Sequence, residues 1–512
     1  MSATAISNQT PEFLFATSGE NFRPESPFPG VELEPTSIST TSDVVTATEV
    51  ARAMQITWNK TSLKHRIDIL NRYHDLILEH QDELASIIQR ETGKARSHAV
   101  EEILQVAMIS AYYAKNAKKF LAPNSRTGVL PFLTQVRVMP APKGVVGIIS
   151  PWNYPFTLSM CDILPAILVG NTVVLRPDQQ TMWSAIRGLE LLFEAGLTSG
   201  VVTMVSGPGS IIGAAVIDEV DYLCFTGSTA TGRIVGAQAG ARLIGASLEL
   251  GGKNPMIVCA DANLNKFLDI ATRACFTSAG QLCISIERMY IHESIYEKFL
   301  AAFNVRVREL VLGAGVGWGY DVGSLVGPAQ LMRVTQAVAK AVSQGAKIEA
   351  GGNHRRDIGP YVFEPTVLSG VTKAMEISTD EVFGPCVYVQ PFKTIEQAIA
   401  LANDSSFGLS ASVITSNIKI GKAVAAQLRT GSVNINEGFA SAYGSVDAPM
   451  GGMAASGLGR RHGIEGLLRF TQPQTIATAH VVTMSPKFGR SDEQWSGILV
   501  KFLQIMKALR LR

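Results

Sequence analysis

One cysteine in this sequence lies in a segment that contains no charged residue and no aromatic ring. The segment Thr277–Ser285 reads TSAGQLCIS, and Ser278, Ala279 and Gly280 stand shortly before Cys283. A free cysteine is most often a small buried apolar residue, but small neighbours also leave room for a substrate carbon to reach the sulfur. A nucleophilic thiol needs a base and a group that stabilises an oxyanion. Cys283 is therefore a candidate nucleophile if the chain supplies these partners.

The most conspicuous candidate for the base is a glutamate between apolar residues. Glu249 lies in SLELGGKNP between Leu248 and Leu250, and two glycines follow. Apolar surroundings raise the pKa of a carboxyl group, and a carboxyl group that titrates near neutral pH can serve as a general base. The alternative is a glutamate at a strand end that forms an ion pair with Lys253.

An asparagine in SPWNYP is the candidate for the oxyanion donor. Asn153 is held between Trp152 and Tyr154, and a proline follows. A rigid amide N–H aimed at a developing alkoxide contributes roughly 3 to 4 kcal/mol to transition-state stabilisation. The alternative is a turn asparagine, which is common next to proline.

Three further segments could bind phosphate or ribose. SGPGSIIG contains Gly209 but lacks the G-x-G-x-x-G spacing. FTGSTATG leads from an apolar strand into an expected helix start, where backbone N–H groups near Gly227 and Ser228 could bind a pyrophosphate. VVLRPDQQ ends a strand with Arg176 and Pro177, a position suited to an adenosine ribose. Each segment taken singly could also be structural.

The elements that would position these residues alternate between helix and strand. From about residue 46 to 121 the apolar residues follow a helical period. Short apolar runs then alternate with helical stretches as far as NPMIVCA, which is typical of a parallel sheet covered on both faces. A second series follows Cys283, from RMYIHE to GSVNIN. The sequence predicts two α/β domains in succession, with Cys283 near their junction.

Composition narrows the class of protein. The chain has 512 residues, 46% hydrophobic and 17% charged, with 46 glycines, which is typical of an α/β enzyme. A net charge of +2 provides no general attraction to nucleic acid. The six cysteines lack framework spacing, so a reducing compartment, the cytoplasm, is expected. We expect no metal site, because the histidines lack ligand spacing to Cys, Asp or Glu, and no secretory signal or membrane-spanning run is apparent.

The order of the motifs resembles that of the NAD(P)-dependent aldehyde dehydrogenase superfamily. From about residue 45 to 480 the chain contains SPWNYP, GNTVVLRP, FTGSTATG, LELGGKNP, SAGQLC, EVFGP and PMGGMAASGLGRRHG. Glu249 and Cys283 are 34 positions apart, as is usual in the family. The resemblance implies an α/β fold with a Rossmann-type cofactor domain, an α/β catalytic domain and a small β element for oligomerisation.

The resemblance also implies a role for each candidate residue. Cys283 would be the nucleophile and Glu249 the general base, and Asn153 with the backbone N–H of Cys283 would form the oxyanion hole. The thiolate would add to an aldehyde, hydride would pass to the nicotinamide, and Glu249 would activate the water that hydrolyses the thioester. Small neighbours would let substrate and nicotinamide approach the sulfur. The implied cofactor-site residues are Trp152, Asn153, Arg176, Pro177, Asp178, Gln179, Gly209, Gly227, Ser228, Leu250, Glu381 and Phe383.

One departure from the family pattern bears on the cofactor. The strand end that usually reads Lys-Pro-x-Glu reads RPDQ here, from Arg176 to Gln179. In the family the glutamate would bind the adenosine ribose and repel a 2′-phosphate. Gln179 removes that charge and Arg176 supplies a guanidinium suited to phosphate, so we expect NADP in preference to NAD. Asp178 would restore the repulsion if it pointed inward.

A finer resemblance bears on the aldehyde. PKGVVGIISPWNYP, AGQLCISIER and RRHGIEGLLRFTQPQTIATA look like succinate-semialdehyde dehydrogenases of actinobacterial type, so succinate semialdehyde is the expected substrate. The two arginines that bind the substrate carboxylate in better-known members correspond to Cys161 and Thr277. A carboxylate buried without a cation is costly. Either another arginine replaces them, or the substrate is an uncharged aliphatic or aromatic aldehyde, which Phe156, Met160 and Phe439 near the expected tunnel would favour.

Three rival classes remain to be compared with this expectation. A CoA-acylating dehydrogenase of the same fold typically lacks the hydrolytic carboxylate, so Glu249 argues against it. A thiol hydrolase would need a histidine paired with the thiol, and within the motifs only His462 is present. A non-catalytic scaffold relative would be signalled by loss of Cys283 or Glu249. The RRHG segment around His462 is expected to be a structural turn or a charged surface.

The resemblance and the composition together divide the chain. The expected segments are a flexible leader at 1–30, a cofactor-binding domain at 31–123 and 144–251, a catalytic domain at 252–450, oligomerisation strands at 124–143 and 472–484, and a tail at 485–512. The strands imply a homodimer or homotetramer. The tail is a basic amphipathic helix with Trp495, Ile498, Phe502, Ile505, Met506 and Leu509 on one face. Such a helix packs against its own or a neighbouring subunit, or lies on a membrane surface.

Overall fold

Two large, mostly parallel sheets carry the residues singled out above. The computed structural model describes residues 11–128, 134–480, 485–486 and 488–510. The chain divides into one unit of residues Met1–Phe120 and Pro142–Thr471 and a second unit of Leu121–Ala141 and Gln472–Arg512. Both large sheets belong to the first unit.

Helices and strands alternate along most of the chain. The helices are α1 Thr41–Trp58, α2 Leu63–Glu79, α3 Gln81–Thr92, α4 Arg96–Phe120, α5 Pro155–Val169, α6 Met182–Glu194, α7 Ala214–Glu219, α8 Thr229–Ala241, α9 Leu264–Phe276, α10 Tyr296–Arg308, α11 Pro328–Ser343, α12 Ile395–Asn403, α13 Ile418–Ala425, α14 Ala440–Tyr443, α15 Gly463–Leu468 and α16 Asp492–Ala508. The strands are β1 Asn21–Phe22, β2 Thr36–Ser37, β3 Asn124–Arg126, β4 Thr134–Pro142, β5 Val145–Ile149, β6 Thr172–Arg176, β7 Val202–Met204, β8 Tyr222–Thr226, β9 Gly245–Glu249, β10 Asn254–Val258, β11 Ile286–His292, β12 Lys347–Ala350, β13 Thr366–Ser369, β14 Cys386–Phe392, β15 Phe407–Gly408, β16 Ser410–Ile414, β17 Ser432–Ile435, β18 Met453–Ala454, β19 Gly457–Leu458 and β20 Thr471–Ala479.

The first large sheet has the strand order β19-β9-β8-β5-β6-β7. The five strands from β9 to β7 are parallel, and β19 pairs antiparallel with β9. Every residue of β5 and β6 is buried, as expected for a parallel sheet covered on both faces. The chain runs outward from β5 in both directions, so the strand order reverses between β5 and β8. Ligands of open α/β sheets bind at the carboxyl ends of the strands beside such a reversal.

The second large sheet has the order β12-β13-β14-β11-β10-β16-β17. Its strands are parallel except for β12, which pairs antiparallel with β13. Stacked phenylalanine rings from α9 and α10 fill the core beside it, with 5.5 Å between the ring centroids of Phe267 and Phe299. The α/β architecture with two parallel sheets agrees with the sequence prediction, whereas a domain boundary at residue 251 stays a prediction.

Residues 11–30 differ from the expected flexible leader. Leu14 and Phe28 are buried, the Phe15 N–H donates to the Met204 carbonyl, and β1 pairs with β2. Apolar residues lie between the serines and prolines of this segment, and their burial holds it against the rest of the protein. The prediction of a flexible leader considered only the polar residues. Residues 1–10 lie outside the described part of the chain.

The second unit contains a three-stranded sheet of order β20-β4-β3 and the helix α16. Residues 129–133 and 481–484 of the expected oligomerisation strands lie outside the described ranges. In α16 the side chains of Trp495 and Met506 are buried, whereas Ile498, Ile505 and Leu509 are exposed. The predicted single apolar face is thus divided into a buried and an exposed part. Within the described residues, none of the helices combines the length and apolar character needed to span a membrane.

Candidate active site

Cys283 follows a tight turn that depends on small residues. After α9, Ser278, Ala279 and Gly280 all adopt left-handed backbone conformations, with φ of 52°, 54° and 69°. A Cβ on Gly280 would lie 2.1 Å from the Gly384 carbonyl oxygen, so only glycine fits there. All three residues are buried. The small residues therefore allow the turn to form. The sequence prediction was different: it was that they leave room for a substrate to reach the sulfur.

Side chains from other elements hold this turn in place. The Ser278 N–H donates to His98 Nδ1 at 3.1 Å, and the Tyr154 and Ser278 hydroxyls are 2.9 Å apart. Burial, together with the nearby Lys94 and Arg273 charges, lowers the pKa of His98 to about 3. The imidazole is therefore neutral, and its Nδ1 is available as an acceptor.

Asn153 lies in the segment between β5 and α5 and points towards the nucleophile's turn. Its side chain is buried, and its Nδ2 donates to the Gln281 carbonyl at 3.0 Å. Asn153 and Cys283 line one cavity of about 170 Å³. The structure thus brings the predicted oxyanion donor to the predicted nucleophile.

A buried ion pair fixes the segment that carries Asn153. Lys94 Nζ lies 2.5 Å from Glu102 Oε1, donates to the Asn153 carbonyl at 2.7 Å, and lies 3.7 Å from the centroid of the Tyr154 ring. The other Glu102 oxygen accepts the N–H groups of Phe156 and Thr157 in the first turn of α5. The sequence analysis missed this pair. Its signal was a lysine and a glutamate eight positions apart beside apolar residues, which is too common to be diagnostic.

Glu249 ends β9 and lines the same cavity as Cys283. Its side chain is buried, and burial raises its pKa to about 7, while Arg461 and Arg469 oppose that rise. Among the described residues no group hydrogen-bonds to Glu249 Oε1. A Cβ on Gly451 would lie 3.1 Å from that oxygen, so this glycine leaves the carboxylate room. Glu249 can therefore take up and release a proton near neutral pH.

Burial and two neighbouring carboxylates affect the thiol itself. Burial, Glu381 and Glu249 raise the pKa of Cys283 to about 12, and Arg461 opposes them. Cys283 therefore rests as a neutral thiol at neutral pH and must lose a proton when its sulfur attacks.

A larger cleft of about 600 Å³ lies at the carboxyl ends of β5, β6 and β8. The predicted cofactor residues that line it are Trp152, Arg176, Asp178, Gly209, Gly227 and Ser228. Ile234 of α8 also lines it and is 70% exposed, which provides an apolar surface for a planar ring. Ser228 caps α8, whose first N–H groups are suited to phosphate.

Arg176 is the buried cation of this cleft. Its Nε and Nη2 donate to the Gly207 carbonyl at 3.1 and 2.6 Å. Pro177 and Gln179, also predicted for this site, are not in the lining. Gln179 instead begins a 3-10 turn, and the Asp178 side chain caps this turn by accepting the Gln180 N–H. Of Asp178 and Gln179, only Asp178 lines the cleft.

The remaining predicted cofactor residues line the smaller cavity with Cys283. They are Leu250, Glu381 and Phe383. The Phe383 ring stands edge-on to Trp152, with 5.6 Å between centroids, and the Gly252 N–H donates to Glu381 at 2.9 Å. Gln330 and Arg333 of α11 also line this cavity. These two residues could not be predicted from the sequence, because α11 lies outside the recognised motifs.

Of the three residues predicted to line a substrate tunnel at Cys283, only Phe439 lies there. Phe439 packs around Cys283 with Tyr154, Leu282, Ile284 and Leu409. Phe156 and Met160, in contrast, are fully buried and face Gly188 of α6: a Cβ on that glycine would lie 3.0 to 3.1 Å from both.

The reason is the helical period of α5. Residues 156 and 160 share one face, and Leu158, on another face, is the α5 residue that lines the Cys283 cavity.

The expectation of a charged surface around His462 is wrong. Arg461 and His462 are 8% and 5% exposed. Arg461 forms a buried ion pair with Asp162, an interaction that the sequence analysis missed. The available signal was Asp162 itself, the only charged residue in α5, because a lone carboxylate in an apolar helix requires a buried cation.

Comparison with known proteins identifies the family and the fold. The sequence matches the model of the aldehyde dehydrogenase family over residues 14–476. The chain belongs to the aldehyde dehydrogenase family. The predicted family and α/β fold are thereby confirmed, and the chain is an oxidoreductase of that family.

Two relatives illustrate the similarity in sequence. A protein of Mycolicibacterium smegmatis, named "putative succinate-semialdehyde dehydrogenase" with NADP(+) in its name, is 47% identical over 95% of this chain and 94% of that protein. The mitochondrial succinate-semialdehyde dehydrogenase of Oryza sativa subsp. japonica is 33% identical over 92% of this chain and 88% of its own.

Two solved structures illustrate the similarity in fold. Betaine aldehyde dehydrogenase of Staphylococcus aureus, in complex with NAD+, has a TM-score of 0.87 and 30% identity, covering 93% of this aldehyde dehydrogenase and 95% of that chain. A structure described as an E. coli NADP dependent enzyme has a TM-score of 0.87 and 31% identity over 91% and 96% of the two chains.

The Lys94–Glu102 pair yields a stability prediction. Lys94→Met leaves the Glu102 carboxylate buried without its cation, so we expect the free energy of unfolding to fall by about 3–5 kcal/mol. Urea denaturation followed by circular dichroism measures the loss. The matched control is Lys64→Met, which removes an exposed partner of Asp68 and should leave stability close to wild type. Equal stability of the two variants would contradict the assigned role.

Proposed function

We propose that this aldehyde dehydrogenase oxidises succinate semialdehyde to succinate through a thioester on Cys283, with NADP+ as the hydride acceptor. One observation carries the proposal. Pro151, Trp152, Thr226, Gly227 and Ser228 line both the 600 Å³ cleft and the smaller cavity of Cys283. A dinucleotide that lies in the cleft can therefore extend to the nucleophile.

The reaction begins with attack of sulfur on the aldehyde. The Cys283 thiol releases its proton to solvent water as Sγ bonds to the carbonyl carbon, and the carbonyl oxygen becomes an alkoxide. Asn153 Nδ2 and the Cys283 backbone N–H would donate to that oxygen, and the shared cavity of the two residues supports this role. Hydrogen-bond donors fixed at the developing charge lower the barrier because they need no reorganisation.

Oxidation and hydrolysis complete the cycle. Loss of hydride from the former aldehyde carbon would convert the alkoxide into a thioester, and a nicotinamide bound in the cleft would supply the two-electron acceptor. Glu249 takes a proton from water, the water oxygen bonds to the thioester carbon, and the carbon–sulfur bond breaks. The products are the carboxylic acid and the free thiol of Cys283.

Several residues of the cleft fit an NADP cofactor. The N-terminus of α8 with Ser228 would bind the pyrophosphate, and Ile234 would contact the adenine. Arg176 would stand near the ribose, where its charge favours a 2′-phosphate. Asp178 reaches the same cleft and opposes that preference. The name of the mycobacterial relative supports NADP, and the complex of the staphylococcal relative with NAD+ is the reason to measure both.

A second substrate class is favoured by the wall around Cys283. An apolar cluster packs against Cys283, and its members include Tyr154, Leu158, Leu282, Ile284, Leu409, Phe439 and Met450. Cys161 and Thr277, at the positions where better-known succinate-semialdehyde dehydrogenases have arginines, carry no charge. An uncharged aliphatic or aromatic aldehyde would bind such a wall without the cost of a buried carboxylate.

We also propose that the enzyme works in the cytoplasm as a homodimer or homotetramer. All six cysteines are free, as a reducing compartment requires. In the second unit β20 is exposed along nearly all of its length, and a small exposed sheet gains stability when another copy covers it. A tail helix with exposed Ile505 and Leu509 is available for contact with a subunit or a membrane surface.

Initial rates with defined pairs of substrate and cofactor test the proposal. NADPH and NADH formation are measured with succinate semialdehyde, hexanal and benzaldehyde, with Cys283→Ala as the control. We expect the highest kcat/KM with succinate semialdehyde and NADP+. A clear preference for hexanal or benzaldehyde would favour the second substrate class, and rates no higher than those of Cys283→Ala for every pair would refute the proposed function.

The pKa of Glu249 predicts how hydrolysis depends on pH. Burial raises that pKa to about 7, and the ionised form is the base, so the thioester hydrolysis rate should rise with pH and level off above about 7. Below the midpoint the rate should fall about tenfold per pH unit. Stopped-flow measurement of the phase after the NADPH burst checks this. In Glu249→Gln that phase should be slow at every pH, and a wild-type midpoint near 4.5 would contradict the assignment.

A further inference from the structure

A buried cluster of three charges lies outside the mechanism described so far. Asp162 in α5 is 1% exposed, and Arg461 binds its carboxylate through two nitrogens, Nε at 3.0 Å and Nη2 at 2.7 Å. Arg469 donates to the same carboxylate. Two arginines against one aspartate leave a net positive charge in the interior. Such a charge is costly unless a nearby anion balances it.

Hydrogen bonds of Arg461 connect this cluster to two segments that lie next to Glu249. Arg461 Nη2 also donates to Thr226 Oγ1 at 2.7 Å, and Thr226 is the direct partner of Glu249 in the parallel pairing of β8 and β9. The Arg461 backbone forms two hydrogen bonds with Met450, at 2.6 and 2.8 Å. Met450 precedes Gly451, the glycine that leaves room for Glu249 Oε1. Arg461 is thus fixed to both segments that flank the catalytic carboxylate.

Glu249 is the anion that this charge can balance. Its Oε1 has no hydrogen-bond partner among the described residues, so its ionised form is stabilised by charges at longer range. Arg461 is the strongest of the charges that lower the pKa of Glu249, followed by Arg469. The charged and titratable groups that face Glu249 from the surrounding elements are Arg460, Arg461, Arg469, Asp162, Cys224 and Cys283.

We propose that Arg461, held by Asp162, is a positioning residue that keeps Glu249 ionised near neutral pH and so sets the pH range of thioester hydrolysis. This inference rests on the proposed role of Glu249 as the base. Arg461 touches neither the substrate nor the reacting atoms in this account. Its positive charge stabilises the ionised form of Glu249, and the hydrogen bonds to Asp162 and Thr226 fix the position of its guanidinium.

The test compares two replacements of Arg461, one by a neutral polar residue and one by another cation. In Arg461→Gln the cation is lost, and we expect the pH midpoint of the hydrolysis phase to move up by about one unit, so that hydrolysis at pH 6 is about tenfold slower. In Arg461→Lys the charge is kept, and the midpoint should stay near that of wild type. Both variants should keep an NADPH burst, because acylation does not use Glu249 as the base. The burst of Arg461→Gln should be slower than that of wild type, because Arg461 also opposes the rise in the pKa of Cys283.

The outcomes separate this inference from the proposed function. If Arg461→Gln keeps its burst and its midpoint is unchanged, or if Arg461→Lys shifts as far as Arg461→Gln, the inference is overturned. If Arg461→Gln does not fold, Arg469→Gln removes the second cation of the cluster. Its midpoint should rise by a smaller amount, and an unchanged midpoint there also overturns the inference. A wild-type enzyme with no burst would instead refute the proposed function.

Discussion

A buried charge must be paired, and this constraint organises the interior around the active site. Glu102 is paired with Lys94, Asp162 with two arginines, and Glu287 with Lys253 at 2.6 Å, all with side chains almost inaccessible to solvent. The partners lie 8 positions apart for Lys94 and Glu102, 34 for Lys253 and Glu287, and 299 for Asp162 and Arg461. Among the described residues, Glu249 Oε1 is the single carboxylate oxygen that is buried without a hydrogen-bond partner. The exception is the carboxylate that we propose as the general base.

The pairs position the catalytic residues as well as stabilise the fold. Lys94 holds the Asn153 carbonyl, and its partner Glu102 caps the helix that follows Asn153. Glu287 accepts the N–H groups of Val382 and Phe383, which lie in the segment beside Trp152 and the Cys283 cavity. The base, the oxyanion donor and the expected nicotinamide site are thus each tied to a separate buried ion pair. Loss of one pair should disturb one function and leave the others in place.

The residues proposed to carry the chemistry could be singled out from the sequence because their motifs are local. Cys283, Glu249 and Asn153 each lie in a short segment with an unusual composition, and the two series of strands predicted the two parallel sheets. Asp162 and Arg461 were missed because they lie 299 positions apart in sequence. Lys94 and Glu102 are only eight positions apart, but such a spacing is too common to be diagnostic. The error on Phe156 and Met160 had another cause. Their proximity to Asn153 in sequence suggested the tunnel, whereas the helical period turns both towards α6.

The most direct test of the central claim is intact-mass measurement of the enzyme after one turnover. The Glu249→Gln enzyme is mixed with NADP+ and succinate semialdehyde, quenched in acid and analysed by mass spectrometry. The control is the double variant that carries Cys283→Ala as well as Glu249→Gln. If Cys283 is the nucleophile and Glu249 the base, Glu249→Gln should gain the mass of one succinyl group, mapped to Cys283 by peptide analysis, and the control should gain none. An unmodified Glu249→Gln that still forms NADPH at the wild-type steady-state rate would show that Glu249 is not the base.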